Sequence, residues 1–130
     1  MQVKHQLKAF EAEEEPFPGI ATLSTPWQTP GSVACVIPDG DSKLVFSGDS
    51  VTHRVLSIEN PWIGLVSDTT PEATTAGRYA LLDEVAAKGW QLMSGPVAFP
   101  GLLHVEHEGV NFKTIARGYQ GSRAAMSVCA

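Results

Sequence analysis

Two short stretches hold the side chains most able to do chemistry: Thr25-Pro26-Trp27-Gln28-Thr29-Pro30-Gly31-Ser32, and Phe46-Ser47-Gly48-Asp49 with His53 four residues beyond. A carboxylate followed closely by an imidazole suits metal ligation or acid–base work. Ser47 or Ser50 near His53 would suggest a nucleophile and its base. Each reading has a plainer competitor. An aspartate after glycine at a strand end commonly caps a turn through backbone N–H groups. Gln28 is a poor zinc ligand, and its amide is better suited to holding a loop by hydrogen bonds. His53 alone is an ordinary surface or hydrogen-bonding residue, and a Ser–His pair lacks both a third group and an oxyanion donor. The candidate ligand-binding set is therefore Trp27, Gln28, Asp49 and His53, with no catalytic residue assigned.

The other titratable groups add little. His104 and His107 would point to opposite faces of a strand. His104 and Glu106 would share a face, which on a terminal hairpin reads as a solvated cross-strand position. Cys35 lies in the apolar run Val33-Ala34-Cys35-Val36-Ile37, where a small buried residue is expected rather than an activated thiolate. With Cys129 it makes no disulfide framework.

These residues must be positioned by a small set of elements. The chain has 130 residues, 43% of them hydrophobic and 18% charged, which fits one globular domain with no second domain or repeat. A strand is expected over Val3 to Phe10, then a break at Pro16 and Pro18. Ile20 to Leu23 forms a strand leading into the Thr25–Gly31 loop. Val33 to Ile37, apolar at successive positions, has the pattern of a strand covered on both faces. Pro38-Asp39-Gly40-Asp41 turns the chain, with Gly40 supplying a positive φ, and Lys43 to Phe46 returns. A helix starts near Pro71 and Glu72, capped by Thr69 or Thr70, and ends at Lys88 and Gly89. Its apolar stripe is Tyr79, Leu82, Val85 and Ala86, with Leu81 beside it. Strands Trp90–Met93, Leu102–Glu106 and Asn111–Ile115 follow, the last two joined through His107-Glu108-Gly109-Val110. Residues 116–130 read as a flexible tail.

Charge excludes some partners. Nine basic and fourteen acidic residues give a net charge of −5, and no Lys/Arg cluster offers a nucleic-acid footprint. No apolar run reaches the roughly 20 residues that span a bilayer, and the N-terminus lacks a signal-peptide core. No membrane or nucleic-acid partner is expected, and a cytoplasmic protein of a bacterium-like host is the default.

The order of these pieces resembles the C-terminal half of a metallo-β-lactamase-fold hydrolase, over roughly Pro18 to Ile115. That family carries a Thr-Pro-Gly-His loop, a strand ending in Gly-Asp, a helix beginning near Asp-Pro-Glu, and a late loop ending in Phe-Pro-Gly. Here the matching residues are Thr25–Gly31, Gly48-Asp49, Ser67–Glu72 and Ala98-Phe99-Pro100-Gly101. The resemblance implies an α+β domain, half of an αββα sandwich, with one mixed sheet and one main helix. It also shows what is missing. The His-x-His-x-Asp-His half is absent, the loop histidine corresponds to Gln28, and the late histidine falls at about Pro96. Asp49 alone remains of the metal ligands, whereas zinc needs at least three.

The resemblance therefore implies a degenerate half domain, non-catalytic, with no cofactor. The alternatives are a split metal-dependent hydrolase that gains zinc with a partner chain bringing the missing histidines, and a small-ligand module. Trp27 is expected to fill space that relatives leave for metal and water, with Gln28 or Asp49 accepting from its indole N–H. A half fold also lacks the cover of one sheet face. Leaving about 800 Å² of apolar sheet in water would cost on the order of 20 kcal/mol. A homodimer in which two copies cover each other is the expected relief, with a folded-back Val3–Phe10 segment or tail as the competitor.

Overall fold

The computed structural model describes residues 7–115. Six strands form one mixed sheet in sequential order: β1 Ala21–Ser24, β2 Val33–Asp39, β3 Ser42–Phe46, β4 Gln91–Met93, β5 Leu102–Glu108 and β6 Asn111–Ile115. Every neighbouring pair is antiparallel except β3 and β4, which run parallel. That one parallel pair needs a long crossover. The crossover consists of a 3-10 turn at Gly48–Ser50, a π-helix at Arg54–Glu59, and the helix α1, Pro71–Lys88. The α+β class and the one-sheet, one-helix layout follow the sequence expectation.

α1 begins and ends where its signals place it. Pro71 opens the first turn, Glu72 faces the positive end of the helix dipole, and Gly89 takes the left-handed conformation at φ 63°. The capping hydroxyl is a correction. Thr70 occupies the N-cap position without a side-chain bond, and the Thr69 hydroxyl donates instead to the Gln28 carbonyl at 3.1 Å. Leu81, Leu82 and Val85 are buried against the sheet, joined by half-buried Tyr79 and Ala86. The stripe also starts earlier than its apolar residues suggest, because Thr74 and Arg78 are buried on it as well.

The register divides the sheet residues cleanly. Val36 sits opposite Val45, Val45 opposite Leu92, and Leu92 opposite Leu103, so these four share the helix-covered face. Cys35, Phe46, Met93 and Leu102 stand in a second cross-strand row on the other face. Ile37, Leu44, Gln91 and His104 form a parallel row beside them. The expectation that β2 is covered on both faces is thus corrected. Ala34 and Val36 are buried, while Val33, Cys35 and Ile37 are only half-buried. One helix covers one face.

Three further differences concern the ends of elements. His107 and Glu108 belong to β5 rather than to the turn, which is a tighter Gly109-Val110 pair with Gly109 at φ 63°. The two histidines do alternate: His107 packs tilted against Phe112 and bonds Asp83 at 2.8 Å, while His104 meets Gln91 at 3.2 Å on the outward face. Leu7 to Phe10 forms no strand. The rest of that expected strand, and the tail 116–130 with Cys129, lie outside the described residues.

Candidate functional site

Register places the four candidate residues at one end of the sheet. Ser24 pairs with Val33, Cys35 with Phe46, Phe46 with Met93, and Met93 with Leu102. The loops that leave this end are therefore 25–32, 47–53 and 94–101. They interlock: Ser47 N–H donates to the Met93 carbonyl at 2.9 Å, and the Ser94 hydroxyl donates to the Val51 carbonyl.

The 25–32 loop is fixed to α1 rather than to its neighbours at this end. Trp27 lies directly over Gly77, where a Cβ would fall 2.3 Å from the indole Cδ2. The Thr74 hydroxyl donates to the Trp27 carbonyl at 2.8 Å. Only glycine permits so close an approach of indole to helix backbone. Gly77→Ala should displace the ring and cost about 1–3 kcal/mol, read as a lowered urea midpoint; an unchanged midpoint would mean that the contact is dispensable. The indole Nε1 is buried, yet neither Gln28 nor Asp49 accepts from it, contrary to the expected pairing. Gln28 Oε1 instead accepts from the Ser32 hydroxyl at 3.2 Å.

Asp49 and His53 are placed apart in role. Asp49 is exposed in the 3-10 turn that follows β3. His53 caps the π-helix: its Nδ1 accepts from the Val55 and Leu56 N–H groups, each at 3.2 Å. Ser57 completes this cap, its hydroxyl accepting from the His53 N–H at 2.8 Å. The imidazole nitrogen that a Ser–His pair would need is committed to backbone. His53→Ala should cost about 0.5–2 kcal/mol, the range for losing a cap, seen as faster amide exchange at Val55 and Leu56; unchanged exchange there would refute the capping role.

The donor set does not fit the zinc that the fold family implies. Among the described residues no group of three His, Cys, Asp or Glu side chains converges. Gln28 is turned to Ser32, His53 to backbone, and Asp49 stands exposed. Trp27, Gln28, Asp49 and His53 share an end of the sheet without bonding to one another.

Sequence reading missed the residue that organises this end from beneath. Arg78 is 1% exposed. Its Nε donates to the Ser50 carbonyl at 3.1 Å, Nη1 to the Ile63 and Pro61 carbonyls at 2.9 and 3.3 Å, and Nη2 pairs with buried Asp68 at 3.4 Å. One guanidinium thus holds three carbonyls of the crossover, as its planar fork of donors allows. The available signal was position: Arg78 lies four residues after Thr74 and four before Leu82, on the buried stripe.

No family model and no curated protein matches the chain. Solved structures do. AidC, a dizinc quorum-quenching lactonase in complex with its product, is 22% identical with a TM-score of 0.81, over 92% of this chain and 40% of that one. AbOPH, a hydrolase of the beta lactamase superfamily, is 19% identical with a TM-score of 0.76, over 83% and 38%. A probable metal-dependent hydrolase from Staphylococcus aureus is 19% identical with a TM-score of 0.72, over 88% and 41%. The chain spans about two-fifths of the length of these structures. Likeness at such identity speaks for fold rather than chemistry, and by that fold the chain is a partial metallo-β-lactamase-fold domain.

Proposed function

We propose that this chain is a non-catalytic half domain that works as an association module, its outward sheet face covered by a second copy. The observation that supports this most is the make-up of that face. Val33, Cys35, Ile37, Leu44, Phe46, Met93 and Leu102 form an apolar area across β2 to β5, with the bonded pair Gln91 and His104 set between it and Ile115 on β6. Met93 is 39% exposed, and among these residues only Leu102 is buried. Polar groups are set at its edges: Asp39 and Ser42 at the hairpin end, and the Glu106–Lys113 ion pair at 3.2 Å on β5 and β6. An apolar centre with a polar rim is how protein interfaces are built.

The N-terminal segment gives partial cover. Glu14 accepts through its carbonyl from the Thr22 N–H at 3.1 Å, which ties the segment to the β1 edge. The middle of the face stays half-buried. No helix of the described residues is long and apolar enough to cross a membrane.

A second reading rests on the lengths of the solved structures. A split hydrolase would add a partner chain with the missing histidines and use Asp49 as its donated ligand. Affinity purification of the tagged chain from its own cells, with elemental analysis of the eluate and mass spectrometry of any chain that co-purifies, separates the two. The module reading predicts no stoichiometric metal. One zinc per chain, lost in Asp49→Ala, would overturn it in favour of the metal-dependent enzyme.

A further inference from the structure

Phe99 is the most exposed aromatic side chain among the described residues. It is 99% exposed, although the loop that presents it is tightly built. Ser94 N–H donates to the Gly101 carbonyl at 3.0 Å, and Gly101 N–H to the Ala98 carbonyl at 3.0 Å. Val97 is anchored in the core cluster. Gly101 sits at φ 68°, where a Cβ would meet the Ser94 carbonyl oxygen at 2.8 Å, so the loop shape requires glycine. A bulky apolar ring is thus held out on a rigid support, at the sheet end where β4 passes to β5.

At the same end, but beside β2, lies a cavity of about 330 Å³. Phe10, Ala12, Pro30, Gly31 and Val33 are among its walls, with Lys8 and Glu11 at the N-terminal segment. Val33 belongs to the outward face by register. Knob and cavity therefore flank the apolar area, one at its β4–β5 side and one at its β2 side.

From this we infer that Phe99 of each copy inserts into the partner's cavity beside Val33, anchoring the dimer about a twofold axis. The inference rests on the self-association reading above. A twofold axis parallel to the strands, passing between β3 and β4 in the plane of contact, keeps the same sheet end at the same level. It places β4 and β5 of one copy over β3 and β2 of the other. The 94–101 loop that carries Phe99 then lies over the partner's cavity, and the reciprocal contact forms by symmetry.

Size gives a second reason. Four strands about 4.8 Å apart and about five residues long offer a patch of roughly 20 by 16 Å. That is small beside the roughly 800 Å² per partner of a standard interface. One phenylalanine anchor from each partner, burying about 150–250 Å², together with the pocket surface that receives the other copy's ring, brings the contact towards that value. The centre of the face holds no Asp, Glu, Lys or Arg side chain to oppose an identical copy, and at its edge Glu106 and Lys113 neutralise each other.

The test uses Phe99→Ala and Gly31→Leu, with dissociation constants from sedimentation equilibrium. Both sites tolerate change: Phe99 is exposed, and a Cβ on Gly31 meets nothing within 4 Å. Each variant should weaken the dimer by roughly 30-fold or more, the scale of a hot-spot residue. The double variant should lose little beyond either single one, because each removes the same contact. A dimer of unchanged affinity in Phe99→Ala overturns the anchor and leaves self-association standing. Fully additive losses overturn the pairing of knob with cavity. A wild-type chain that never dimerises overturns both.

Discussion

Replacing Arg78 with alanine should destabilise the domain by about 3–5 kcal/mol, the cost of breaking a buried ion pair from one side. The change leaves Asp68 buried without its cation, and it removes the donors that serve the Ser50, Pro61 and Ile63 carbonyls. Asp68 keeps only the Leu65 N–H at 2.8 Å. A domain of ordinary stability has about 5–15 kcal/mol in total, so much of the margin would go. Arg78→Lys should recover little, because one ammonium cannot span three carbonyls and a carboxylate. Urea unfolding followed by circular dichroism gives the answer. A loss below about 1 kcal/mol would mean that the crossover is held by its own packing.

Phe46→Glu should separate the dimer while leaving the fold in place. Phe46 lies in the middle of the outward row, between Cys35 and Met93. In the free chain a glutamate there reaches water. In the dimer it would be a buried, unpaired charge costing several kcal/mol, so the dissociation constant should rise by roughly a thousandfold or more. Should Phe46→Glu fail to fold, Met93→Lys places a charge at a more exposed site on the same row. A charged variant that folds and still dimerises at wild-type strength would exclude this face as the interface.

Much of the frame was legible because its signals are local. Pro71, Glu72 and Gly89 mark α1 through backbone chemistry that works within one turn, and Gly40 and Gly109 mark hairpins by the positive φ they adopt. The position of the 25–32 loop followed from its prolines and glycine. Its attachment did not, because the contact of Trp27 with Gly77 joins segments fifty residues apart. Arg78 carries no such signal, because a charge is the usual mark of an outer helix face. Only its spacing from Thr74 and Leu82 points inward. His53 was weighed as a base or a surface residue, since a six-residue π-helix has no periodicity that would reveal the cap. The outward face was hidden differently: the run Val33 to Ile37 does not tell one-sided from two-sided cover until the register assigns each residue.

The central claim is that the uncovered sheet face pairs with a second copy of the chain. Two chains of net charge −5 repel at long range, so added salt should favour their association. The most direct measurement is the mass of the purified chain by light scattering across a micromolar concentration series. A mass twice 13.9 kDa, falling towards 13.9 kDa on dilution, is the predicted result. A constant 13.9 kDa at every concentration would contradict it and leave a monomer that covers its own sheet.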